Sequence, residues 1–532
     1  MIVNKKIATL FRLTANAILY KGGNKYRAAA YKRAAKLIEE APDVERLYRQ
    51  GKLHELPLTK KMIDKIKEFI ETGRIVKCIE ELSGTPVNLL PLLDYPNITV
   101  EDIRNAEKMG ISTPSEFLKN IRKILPEDRL RRFLEALEMY QGKMLLHEAL
   151  SIAEDIMEYL MPYCERIAVA GSIRRMKELV RDIDILAVSG HDLIRKFCEH
   201  PDVEKVLMAG DVRASVIIRG KQVDLRLIPI ESWGAALQYF TGSKAHNIKL
   251  RQITKSMGYK LSEYGLFRGS EMIAGSDEED IYQALGMQWI PPELREDKGE
   301  IEAAREGRLP KLVEYWQVKG DLHCHTTYSD GKMTPEQLVK EAIRRGYSYI
   351  AITDHSYMMK PEGLRRQLAE IEQLRTKYPE IRILTGTELE CNSEGHYDFP
   401  KELLEKLDIV IASIHVATDK DLTEAYIRLC NDPHVKIIGH MTGRLLLKRP
   451  PRKMDVERVL REAAKTGKLI EINGQPERMD LPPEWVRIGK RLGCKFTLGT
   501  DAHSSYEMNF MRYAVGVARR GWLEEKDIWR PE

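Results

Sequence analysis

Between residues 320 and 503, short apolar runs recur with the regularity of strands, and nearly every run ends in histidine or a carboxylate. The runs span 320–324, 349–353, 381–387, 409–414, 435–439, 469–472 and 496–499, with helical patterns between them. Seven strand–helix units in this space are most simply closed as a parallel barrel related to the eight-unit form. The strand ends of such a barrel converge on one mouth. The first run is followed by His323, His325 and Asp330, the second ends in Asp354 and His355, and the third in Glu388. The fourth ends in His415, the fifth in His440, the sixth in Asn473, and the seventh in Asp501 and His503. Six of the chain's thirteen histidines fall here, from five strands. One histidine at a strand end is usually a hydrogen-bonded packing residue. Imidazoles and carboxylates packed together instead require cations between them. A donor set without thiolate suits Mn²⁺, Zn²⁺ or iron, and nine ligands suit two or three ions that activate water and clamp a phosphoester. Cys324 lies between two ligands on a strand, so it faces the other way and belongs to the core.

A second acidic signal lies upstream. Gly171-Ser172 follows a strand and opens a helix, a setting in which backbone N–H groups receive phosphate. Arg174 and Arg175 come next, then Asp182-Ile-Asp184-Ile-Leu, and later Val223-Asp224-Leu-Arg226-Leu. Residues i and i+2 of a strand share a face at a spacing of about 6.7 Å. Asp182 and Asp184 therefore repel unless cations intervene, while Ile183 and Ile185 anchor the opposite face. A third carboxylate on an adjacent strand completes a two-cation arrangement for in-line attack on a nucleoside triphosphate.

The 532 residues exceed one core, and 43% hydrophobic with 31% charged content is that of a globular chain. No apolar run approaches the ~18 residues needed to span a bilayer, and the N-terminus lacks a signal-peptide pattern. Seven scattered cysteines without CxxC spacing fit reduced thiols and a cytoplasmic protein. Residues 1–70 carry 16 Lys+Arg against 7 Asp+Glu, a basic head suited to nucleic-acid phosphates. Helical spacing runs through 7–20, 28–40 and 62–72, and the stretch 291–306 reads as a linker with a short helix.

The motifs His323-Cys-His325, Thr353-Asp-His355-Ser, Gly386-Thr-Glu388, Ser413-Ile-His415, Gly439-His440 and Thr500-Asp-Ala-His503 resemble those of the PHP (polymerase and histidinol phosphatase) superfamily. That resemblance implies a three-ion site held by His323, His325, Asp330, His355, Glu388, His415, His440, Asp501 and His503, with Mn²⁺ or Zn²⁺. It also implies that Arg444 contacts substrate phosphate. The upstream pattern, with Tyr239-Phe240-Thr-Gly242-Ser followed by His246-Asn247 and Arg251, resembles family X DNA polymerases. By resemblance, Asp182, Asp184 and Asp224 hold two Mg²⁺ or Mn²⁺, and Asp224 assists deprotonation of the primer 3′-OH. Ser172 and Arg175, on the turn opened by Gly171, bind the β/γ-phosphates. Tyr239, beside Phe240 and Gly242, gates against ribose, and Asn247 and Arg251 read the nascent pair.

The expected architecture is multidomain. A helical DNA-binding domain covers 1–80, a second helical domain 81–147, an α/β nucleotidyltransferase palm 148–235 and a thumb 236–300. A linker at 301–317 then leads to a seven-stranded PHP barrel at 318–532. The resemblance implies a monomeric gap-filling polymerase of base excision repair that takes gapped or nicked DNA and dNTPs. It also implies 3′–5′ exonuclease, apurinic-site cleavage or 3′-phosphatase activity in the barrel. Two other readings compete, a small-molecule phosphatase with a decayed N-terminal half and a non-catalytic DNA-end scaffold. Two departures stand out. The helix-hairpin-helix turns, Leu56-Pro57-Leu58-Thr59-Lys60-Lys61 and Tyr95-Pro96-Asn97-Ile98-Thr99, lack the glycines that allow close backbone approach to phosphate, leaving Lys60 and Lys61 as direct charge contacts. Lys65 matches the family's Schiff-base lysine for 5′-deoxyribose phosphate removal, a role that requires a lowered pKa.

Overall fold

The computed structural model describes residues 2–531 except 42, 57, 96, 97, 128, 131, 132, 134–141, 191 and 417. Pro57 of the first hairpin turn, and Pro96 and Asn97 of the second, lie outside the described residues. The chain divides into two compact units, 1–141 and 142–532. No helix among the described residues is long and apolar enough to cross a membrane.

The first unit is helical. Helix α1 (Ile2–Tyr20) places Ile7, Phe11, Ala15 and Ile18 on one stripe, as the 3.6-residue period requires. That stripe packs on Ala28, Tyr31, Ala35 and Ile38 of α2 (Lys25–Glu40), whose first turn is capped by the Asn24 side chain. Helix α3 (Lys60–Thr72) contributes Met62, Ile63 and Ile66 to the same core. A second apolar cluster runs from Leu89 to Phe133, and Thr99 and Thr113 start its helices with capping boxes.

The second unit opens with a two-residue strand pair, Met144–Leu145 against Leu179–Val180. Helix α4 (Leu146–Leu160) then covers a five-stranded sheet. The strands are β1 (Arg166–Val169), β2 (Ile183–Val188), β3 (Val203–Ala209), β4 (Arg213–Ile218) and β5 (Lys221–Leu227), in spatial order β1-β2-β5-β4-β3. The parallel β2–β5 pair sets Asp184 opposite Asp224. Ile183 and Ile185, fully buried on the other face, join the core under α4. Strand β3 forms the sheet edge with Val206, Leu207 and Met208 exposed, so no inside–outside alternation marks it.

Helices α5 (Trp233–Thr241) and α6 (Lys244–Ser256) follow, with a small antiparallel three-stranded sheet. Their core takes in Ile290, Leu294, Ile301, Ala304 and Leu312. The segment expected as a linker, 301–317, is therefore packed at its start and continues the preceding domain. The charges of 291–306 suggest a linker, but two of them are partnered inside: Glu300 meets His246 at 2.8 Å and the fully buried Arg295 pairs with Glu278.

The last two-fifths form the expected parallel sheet. Its strands are β6 (Gly320–Asp321), β7 (Tyr349–Ile352), β8 (Arg382–Cys391), β9 (Ile409–Ile414), β10 (Ile437–Ile438), β11 (Leu469–Asn473) and β12 (Lys495–Gly499), each beside the next in sequence. Ring closure comes just beyond the strand ends, where His325 N donates to the Ala502 carbonyl at 2.9 Å. Helix α7 (Met511–Arg520) packs its buried face into the apolar cluster that also contains the core of the five-stranded sheet.

Candidate active sites

In the sheet domain, Gly171 sits at φ +58°, and a Cβ there would stand 2.5 Å from Asp184 Oδ2. Only glycine lets the turn lie this close to the acid. Asp224 accepts hydrogen bonds from the Ser215 hydroxyl and from Gln222 Nε2 at 3.1 Å. Burial first, then the charges of Asp224 and Asp182, push the Asp184 carboxyl up to about 6. Asp224 is also raised, chiefly by burial. Carboxyls raised in this way fit divalent cations, which would remove the penalty.

The expected nucleotide-pocket residues are joined by direct contacts. Arg175 meets the Thr241 carbonyl, lies against Gly242, and pairs with Glu296 at 3.1 Å. Asn247 Nδ2 donates to the Tyr239 carbonyl at 2.7 Å, and Asn247 Oδ1 accepts from Gln238 Nε2 at 2.8 Å. Arg251 Nε donates to the Asn247 carbonyl at 3.3 Å. The Phe240 ring stacks edge-on to Tyr239 and lies 4.8 Å from the Arg226 guanidinium, whose charge reaches Asp184. Ser172 is half-buried on the Gly171 turn.

At the barrel mouth all nine expected ligands converge. Donor atoms lying within 4.8 Å of one another form four sets: His323, His325 and Asp501; His325, Asp330, His355 and His503; Glu388, His415 and His440; and His355, Glu390 and His415. Glu388 is central, with His355 Nδ1 at 2.8 Å, His440 Nε2 at 3.0 Å, His415 Nε2 at 3.4 Å, His323 Nε2 at 3.6 Å and His325 Nε2 at 3.7 Å. His323 Nε2 and Glu388 Oε2 are buried and neither has a hydrogen-bond partner. Orphaned buried donors and acceptors facing one another are what cation coordination satisfies, so the residues fit a multi-ion centre. The protonation states agree. Burial opposes the charge on Glu388, yet the surrounding imidazoles hold its carboxyl well below the usual range. Burial likewise opposes protonation of His503, but Asp330 and Asp501 lift it to about 9. Asp330 is drawn down to about 2 by His503 and His355 against its burial.

Two acids absent from the expected set complete this shell. Glu471 accepts from His323 Nδ1 at 2.5 Å, and Glu390 from His415 Nδ1 at 2.7 Å. Each carboxylate turns the other imidazole nitrogen towards the centre. Both were legible, since Glu390 is two residues from Glu388 and Glu471 two from Asn473, on the same strand faces. Asp354 is no member of these sets. It accepts from Thr326 and Ser329, fixing the loop that carries Asp330. Cys324 is buried, as expected.

Arg444 corrects an expectation. It is buried with its guanidinium on Glu178 at 2.6 Å and on the Arg478 carbonyl at 2.8 Å, so it joins the barrel to the sheet domain and faces no substrate phosphate. The cation beside the mouth is Arg478, whose Nε lies 3.7 Å from Asp501 Oδ2. In the first unit, Lys65 Nζ donates to the Lys61 carbonyl at 3.3 Å and lies 5.9 Å from the Tyr31 ring centroid.

Comparison with known proteins places family signatures on both halves. The family described as DNA polymerase beta thumb matches residues 236–296, and the PHP domain matches 321–475. The chain is 32% identical over 555 residues to a Bacillus subtilis protein named DNA polymerase/3′-5′ exonuclease PolX, covering 98% of this chain and 96% of that one. About a third of the chain is also similar to probable phosphatases. One from a Thermoanaerobacter species is 32% identical over 222 residues, covering 38% of this chain and 87% of the relative. Another from Acetivibrio thermocellus is 32% identical over 203 residues, covering 35% and 80%.

Proposed function

The chain belongs to the family X DNA polymerases that carry a PHP domain, and from that premise we propose that it fills short gaps during DNA repair and processes DNA ends in its barrel. Its substrates are dNTPs and gapped or nicked duplex. The sheet domain holds two Mg²⁺ or Mn²⁺ through Asp182, Asp184 and Asp224, and the barrel holds three Mn²⁺ or Zn²⁺. Such ions supply charge neutralisation at the triphosphate in one site and an activated water in the other. Asp224, steadied by Ser215 and Gln222, takes part in removing the proton of the primer 3′-OH. Ser172 and Arg175 hold the β/γ-phosphates. The Tyr239 backbone is fixed by Asn247, which keeps the ring in place as a gate against ribose, and Arg251 lies alongside to read the new pair. In the barrel, Glu471 and Glu390 orient His323 and His415, while Arg478 faces the phosphate under attack. Free thiols at all seven cysteines suit a cytoplasmic setting.

The observation carrying this reading is the presence of two separate acid-lined pockets, Asp184 opposite Asp224 in one domain and Glu388 among five imidazoles in the other. The test is a 5′-labelled gapped duplex incubated with Mg²⁺, Mn²⁺ or Zn²⁺, with and without dNTPs. Asp184→Ala should lose extension and keep end processing, and His323→Ala should do the reverse. Extension by Asp184→Ala would refute the polymerase reading, and end processing by His323→Ala the phosphoesterase reading.

A further inference from the structure

The barrel domain touches the polymerase domain at the turn that follows Ser172, and it does so with specific side chains. Three of the four residues 175–178 are held from across this boundary. Arg520, at the end of α7, donates to the Arg175 carbonyl at 2.8 Å. Arg444 pairs with Glu178 at 2.6 Å. Met176 has φ +54°, a region L side chains rarely occupy. Its side chain lies on Gly516, where an added Cβ would stand 2.6 Å from Met176 Cε. The helix therefore presents a glycine where the turn presses against it.

Arg520 also reaches the carboxylate that aims Arg175. Glu296 accepts from Arg175 Nε at 3.1 Å and from Arg520 at 3.2 Å, and Lys177 Nζ stands 3.9 Å away. Burial pushes the Glu296 carboxyl up, but Arg520, Lys177 and Arg175 hold it below the ordinary range, so it stays charged. Arg175 in turn touches Thr241, borders Gly242 and acts electrostatically on Asp184. A series of contacts thus runs from the last residue of α7 to Arg175, whose charge acts on Asp184 of the polymerase site.

We infer that Arg520 is a positioning residue for the polymerase's nucleotide-binding turn. It fixes the Arg175 backbone directly and its guanidinium through Glu296, so the phosphoesterase domain sets the dNTP affinity of its neighbour without contributing a group to that site. The inference rests on the proposed role of Arg175 as a triphosphate ligand. A long side chain ordered before binding loses less freedom when the anion arrives. Contact with the triphosphate exists before and during the chemical step, so releasing Arg175 raises KM and leaves kcat nearly unchanged.

The test uses the full-length protein on a single-nucleotide gap, measuring dNTP KM and kcat, and exonuclease activity on the same DNA without dNTPs. Arg520→Gln should raise KM about tenfold, the scale expected for a slightly misplaced binding group, with kcat and exonuclease activity retained. Arg520→Lys should recover part of the loss, because it keeps a charge for Glu296. Met176→Ala, which removes the packing on Gly516, should raise KM by an uncharged route. Wild-type KM in both Arg520→Gln and Met176→Ala, alongside an inactive Asp184→Ala, overturns the inference. So does a parallel fall in kcat, exonuclease activity and unfolding temperature in Arg520→Gln, which would mark a general structural role. Extension by Asp184→Ala overturns the polymerase reading itself, and this inference with it.

Discussion

Replacing Asp184 by asparagine should abolish extension and yet stabilise the metal-free protein. The Asp184 carboxyl titrates at about 6 in the fold, against an ordinary value of 3.8, because it is buried and faces Asp224 and Asp182. At about 1.36 kcal/mol per pH unit, that difference amounts to roughly 3 kcal/mol of penalty on the ionised form. Relaxation of the neighbouring acids reduces what a variant recovers, and about 1–3 kcal/mol is expected. The sign follows from proton binding. Below 3.8 the group is protonated whether folded or unfolded, and it contributes nothing. Between 3.8 and 6 the folded state binds more protons, so the penalty grows with pH, and above 6 it is complete. Thermal unfolding in EDTA at pH 8 should therefore place Asp184→Asn roughly 2–6 °C above the wild type, with the gap closing towards pH 4. Saturating Mn²⁺ should reverse the order, because the wild type gains cation binding that the variant lacks. A variant that melts below the wild type in EDTA at pH 8, or a gap that persists at pH 4, would refute the argument.

Glu388→Gln should cost end processing at least about a thousandfold, since this carboxylate lies beside five of the six ligand histidines, and should leave gap filling intact. Loss of both activities would contradict the separation of the sites. Because His503 titrates at about 9 without metal, and an imidazole must lose its proton to bind one, Mn²⁺ affinity measured by calorimetry should rise from pH 6.5 to 9. A flat profile would contradict the assignment. The His503 contribution to metal-free stability runs the opposite way, present below pH 6.5 and lost as pH rises through 9. Arg444→Ala leaves Glu178 without its buried partner and should destabilise the protein by about 3–5 kcal/mol. At temperatures where it stays folded, its exonuclease KM should match the wild type, whereas a raised KM would restore Arg444 to the substrate.

The barrel was legible because nearly every strand ends at a residue whose chemistry is costly unless gathered, so the motif spacing and the topology carry the same information. The placing of Asp184 beside Asp224 was legible for the same reason, the period-two alternation turning Ile183 and Ile185 inward. Other features left weaker signals. Strand β3 exposes Val206, Leu207 and Met208 at a sheet edge, so burial imposes no pattern on it. The charges of 291–306 suggested solvent, but Arg295 pairs with Glu278 inside the protein, and Glu300 accepts hydrogen bonds there from the His246 ring and the Asp297 and Lys298 amides. Arg444 was misassigned because its partner Glu178 lies 266 residues away in sequence. Glu390 and Glu471 could have been found by extending to every acid the face rule applied to Asp182 and Asp184.

Crystals soaked in Mn²⁺ and measured at the manganese absorption edge would test most directly whether one chain holds two separate cation centres. Anomalous density should stand between Asp184 and Asp224, and a distinct group of peaks should be bounded by His323, Glu388, His440 and Asp501. Density in only one domain, or ions bound elsewhere with both pockets bare, would contradict the account.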